Sequence, residues 1–90
     1  METVSIHELE NKVKTALECR RLRLRDGFDE TEANLKLIAA LNDTIATATK
    51  EMTEEENRGY RHQLSLFIHM CIGRISGVLI TEQVRKGVKR

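Results

Sequence analysis

Four arginines within six residues, Arg20, Arg21, Arg23 and Arg25, are the densest chemistry in this sequence. A guanidinium is a planar fork that grips carboxylate or phosphate through two parallel hydrogen bonds. The C-terminal stretch adds Arg85, Lys86, Lys89 and Arg90. Together these groups suit an anion site for a nucleotide, a nucleic acid or an acidic protein surface. They equally suit a solvated basic face that pairs with acidic segments elsewhere in the chain. Single-strand binding asks for aromatic rings beside the charge, and only Phe28 stands near. Lys and Arg total 15 and Asp and Glu 14, for a net charge of +1. The basic excess that drives nonspecific nucleic-acid binding is therefore missing.

The remaining reactive side chains are scattered. His62 and His69 are seven residues apart, about 10 Å along a helix, whereas one ion holds its ligand atoms within about 2 Å. The sequence has no HxxxH, HExxH or CxxC. Cys19 has no base or oxyanion donor placed beside it. Cys71 falls on an apolar stripe, where a thiol packs as a small hydrophobe. Nucleotide-binding and hydrolase signatures are absent from the sequence. The reading is thus of no catalytic residue, no metal, no cofactor and no enzymatic activity. Two cysteines without a disulfide framework suit the reducing cytoplasm.

The elements that position these residues follow from composition and punctuation. Proline is absent, and Trp, Tyr and Phe together make up 3% of the chain. That favours long helices over a sandwich or barrel. Capping boxes mark three helix starts: Ser5 with Glu8, Asp29 with Glu32, and Thr53 with Glu56. Gly27 supplies a C-terminal stop for the first helix. The expectation is an all-α, antiparallel three-helix bundle over about 6–26, 30–51 and 54–86, one domain in 90 residues. Apolar stripes run through Ile6, Leu9, Val13, Ala16, Leu17 and Leu24 on the first helix. On the second they run through Ile38, Leu41, Ile45, Ala48 and Met52, with Leu35 and Leu37 at the flanks.

The third helix is apolar on two sides. Tyr60, Leu64, Phe67, Cys71, Ile75 and Val78 form a core stripe, which Ile68, Ile72 and Leu79 widen. Leu66, Met70, Gly73, Gly77 and Ile80 step 4, 3, 4, 3 along the opposite side. Glycine costs about 1 kcal/mol in a helix interior, and small residues at this spacing let another backbone approach closely. A helix apolar on both sides needs two partners. The predicted partner for the second side is another copy of the chain, with His69 beside the contact.

Arg20 interrupts the stripe of the first helix where Leu would be expected. An unpaired buried guanidinium costs several kcal/mol. Either the first helix leaves the core near Leu17 or Arg20 reaches the rim along its apolar stem, or, if the helix stays packed to Asp26, Arg20 must find a carboxylate, a carbonyl cluster or an anionic ligand, with Asp43 and Glu82 the candidate acids. The N-terminus lacks the basic start and apolar core of a secretory leader. Leu64–Ile80 is short for a membrane span and contains Arg74, so no membrane is expected. In size and composition the chain is similar, in a general way, to small helical proteins of phages and mobile elements that attach to a host component. The function expected is a self-associating module that binds, inhibits or regulates a partner protein. The alternative is an anion-binding module that holds or sequesters nucleotide or nucleic acid.

Overall fold

The computed structural model describes residues 5–88, with side chains described through Val84. It is a three-helix bundle: α1 spans Ile6–Arg25, α2 Glu30–Glu54 and α3 Arg58–Val88. Among the described residues there is no strand.

Two of the three predicted caps form. The Ser5 hydroxyl accepts from the Glu8 N–H at 3.1 Å, and the Asp29 carboxylate accepts from the Glu32 N–H at 3.2 Å. α1 stops at Gly27, which takes φ +90. Phe28 N–H then donates to Arg23 O and Gly27 N–H to Leu24 O. This is the Schellman pattern, and the left-handed residue it requires is cheapest as glycine.

The third cap is a correction. Thr53 does not start α3; it lies inside α2, where its hydroxyl donates to Thr49 O at 2.9 Å. Asn57 caps α3 instead, its Oδ1 accepting from Tyr60 N–H at 3.0 Å. Glu54 therefore closes α2, and Glu55 and Glu56 lie in the connection rather than in the first turn of α3. A Thr-x-x-Glu spacing also occurs within helices, so spacing alone did not decide where α2 ends.

α2 is the middle helix. α1 and α3 both pack along it and barely meet each other. The molecule measures 51 × 25 × 14 Å. With helix axes about 8–10 Å apart, that width and depth fit three helices laid side by side better than a closed triangle. The core contains Leu9, Val13 and Ala16 of α1, Leu37, Leu41 and Ala48 of α2, and Leu64, Phe67 and Cys71 of α3. On α2 the buried arc is turned from the expected one. It centres on Leu37, Leu41, Thr44 and Ala48, with Ile38, Ile45 and Met52 half-buried and Leu35 exposed. A helix with neighbours on both flanks buries a wider arc than one stripe.

Candidate functional site

Each helix carries one polar residue on its core-facing stripe near the same end of the bundle. These are Arg20 on α1, Asn34 on α2 and Glu82 on α3. The Arg20 Nε donates to Asn34 Oδ1 at 2.5 Å. Asn34 Nδ2 donates in turn to Glu82 Oε1 at 2.6 Å, and the Thr31 hydroxyl donates to Glu82 Oε2 at 3.0 Å. Asn34 is only 1% exposed. A buried amide with an unmet group costs about 1–3 kcal/mol, so its two bonds matter. Among the described residues no buried side-chain polar atom lacks a partner.

The expected demand of Arg20 is thus met by an amide oxygen, with one of the two candidate acids, Glu82, standing one bond behind it. Asp43 lies elsewhere, on a separate cleft of about 490 Å³ between α1 and α2 that Cys19 and Arg23 also line. Sequence reasoning missed Asn34 and Thr31. The signal for Asn34 was present: residues 34, 37, 41, 44 and 48 step 3, 4, 3, 4, so the asparagine continues the buried series of α2.

The arginine cluster is divided. Arg20 turns toward α2. Arg21 pairs with Glu18 at 2.5 Å, and that hydrogen bond holds the Glu18 carboxyl below the usual carboxylate range. Arg25 lies 3.9 Å from Asp26, and Arg23 lines the α1–α2 cleft. The side chains of Arg85, Lys86, Lys89 and Arg90 lie outside those described. The histidines stay apart from any ligand set: His69 Nδ1 is 2.8 Å from Ser65 O, and among the described residues no group of His, Cys, Asp or Glu could hold a metal. Cys71 is buried, and loss of solvation pushes its thiol pKa up, with Arg74 opposing that shift.

A cleft of about 390 Å³ lies where α1 and α3 diverge over α2. Leu17, Leu37 and Val78 give it apolar surface, and Arg20 and Arg74 give it two cations. A second hollow, beside Val13, Lys14 and Met70, shares Leu17 and Arg74 with it. A third, beside Ile6, Leu66 and Phe67, shares Glu10 and Met70 with the second. Arg74 is a third residue that sequence reasoning passed over as a site residue, because nothing in its immediate neighbours marks it.

The predicted seam of α3 faces outward. Leu66, Met70 and Ile80 are 56%, 42% and 59% exposed. Gly73 and Gly77 are exposed, and a Cβ added at either would meet nothing within 4 Å. Ile72 and Leu79, assigned to the core side, are about half exposed as well. From Gln63 to Val84 the exposed residues of α3 include one formal charge, Arg74. By contrast α1 exposes Glu8, Glu10, Lys12, Lys14, Glu18 and Arg21. Helix α3 is 31 residues long, close to the expected length, and its Arg58–Val84 stretch is long and apolar enough to cross a membrane by length and composition. One side of that stretch is packed on α2, where Leu64, Phe67 and Cys71 are buried.

No family model matches the chain, and neither the curated proteins nor the solved structures hold a significant match.

Proposed function

We propose that this chain is a non-enzymatic helical module that self-associates through α3 and engages a partner protein. The carrying observation is the outer face of α3, almost free of charge from Gln63 to Val84 while the opposite face is packed on α2. Contiguous exposed apolar surface on a small soluble protein marks an interaction site. Gly73 and Gly77 lend support, because a single chain has no steric need of either. A close helix crossing does need small residues. The seam is then Leu66, Met70, Gly73, Gly77 and Ile80, with His69 on its border, and the other protomer presents the same residues about a two-fold axis.

Light scattering at tens of micromolar tests the reading. A dimer or larger assembly that Gly77→Leu reduces to a monomer of unchanged helicity supports it. A monomeric mass for the unaltered chain overturns it.

The second reading, an anion-binding module on Arg20–Arg25 and the basic tail, draws less support. Arg21 and Arg25 each have an acidic partner within the chain, and Arg20 is turned away from them toward α2. Several phosphate contacts would make binding fall steeply with salt. A nucleotide or nucleic acid that raises the Tm at low salt, and loses that effect at moderate salt, would restore this reading.

A further inference from the structure

We infer that the α1–α3 cleft is a binding site for an amphiphilic carboxylate, a single carboxylate group on an apolar tail. The head chemistry comes from Arg20 and Arg74. Arg20 is held by Asn34 through Nε alone, and among the described residues its two terminal nitrogens have no partner. Arg74 makes no ion pair among the described residues. Two cations therefore border one cleft, and Glu82 of α3 already accepts from Thr31 and Asn34. Guanidinium forks match a carboxylate in shape and charge. Arg20 is also half-buried and fixed in place before any ligand arrives, which lowers the ordering cost of binding.

The tail chemistry comes from Leu17, Leu37 and Val78, which give the cleft itself an apolar wall. A neighbouring hollow lined by Val13, Leu17 and Met70 adds apolar surface beside it. A volume of about 390 Å³ at the head end falls within the usual range of small-molecule sites. Gly77 lines this cleft and Met70 the neighbouring hollow, so a ligand and a second copy of the chain compete for part of one surface, and the site is that of the monomer.

Titration calorimetry with decanoate below its micelle concentration tests it, with acetate and decyltrimethylammonium as controls and circular dichroism to exclude unfolding. Decanoate should bind at least ten-fold tighter than either control. Arg74→Gln should weaken decanoate about five- to ten-fold with the Tm little changed, since Arg74 is exposed and makes no ion pair among the described residues. Amide NMR shifts on decanoate addition should concentrate at Leu17, Leu37 and Val78. Equal affinity for decanoate and decyltrimethylammonium overturns the inference, as does a full-affinity Arg74→Gln variant or an absence of binding heat. Sedimentation with phosphatidylglycerol vesicles but no binding of free decanoate also overturns it, in favour of a membrane surface. Light scattering keeps the two proposals separate: decanoate is titrated at a dilution where the chain is monomeric, no binding there removes this site, and assembly at tens of micromolar leaves self-association standing.

Discussion

Arg20 Nε and Asn34 Oδ1 are 2.5 Å apart across the α1–α2 contact, though fourteen residues and a chain reversal separate them. A cation on a core stripe is thus answered by a neutral amide, and the amide hands the polarity on to Glu82. The three helices are tied at one end through a single buried side chain. Arg20→Leu is expected to lower the Tm, because it leaves Asn34 Oδ1 buried without a donor. The cost should be about 1–3 kcal/mol, or roughly 4–8 °C per kcal/mol for a domain of this size. The double variant Arg20→Leu with Asn34→Leu should cost less than the sum of the single changes, since both break the same bond. A rise in Tm for Arg20→Leu alone would show that the bond does not hold the fold together.

Gly77→Ala should stabilise the isolated chain by about 0.5–1 kcal/mol, because alanine fits the open space and has the better helix propensity. Gly77→Leu should leave helicity and monomer folding intact. Urea melts at low protein concentration check the first, and circular dichroism checks the second. Loss of helicity in Gly77→Leu would mean that the glycine serves the monomer after all.

Cys71 should react with iodoacetamide far more slowly than half-buried Cys19 at neutral pH, read by mass spectrometry over time. Burial raises the Cys71 thiol pKa above its ordinary 9.0. The unfolded chain therefore ionises first. The stability linked to this thiol is fully present below about pH 9 and falls as the pH rises through the folded value. Cys71→Ala should remove that alkaline dependence, whatever it costs in packing. Equal alkylation rates for the two cysteines would contradict the burial of Cys71.

Asn57→Ala should destabilise the protein by about 0.5–2 kcal/mol through loss of the α3 cap. Thr53→Ala should change stability by less than about 0.5 kcal/mol, since Thr53 is exposed within α2. Thermal melts of the two variants separate the caps. The reverse order of cost would put the start of α3 back at Thr53.

The sequence by itself determined that the chain is helical, that there are three helices, where the first two begin and where α1 stops. Those features rest on local physics: missing proline, the caps at Ser5 and Asp29, and a left-handed position that Gly27 fills. The two-sided apolarity of α3 was legible for the same reason, as periodicity within one helix. Tertiary structure decided the rest. Whether Thr53 or Asn57 caps α3 depends on how far α2 runs along its neighbours, and local spacing fits both. Which polar residue answers Arg20 depends on which helix lies in the middle, because Asn34 can bridge Arg20 and Glu82 only when α2 separates α1 from α3. The cleft with Arg74 follows from the same layout. A pocket wall drawn from separate helices leaves no mark in any one stretch of sequence.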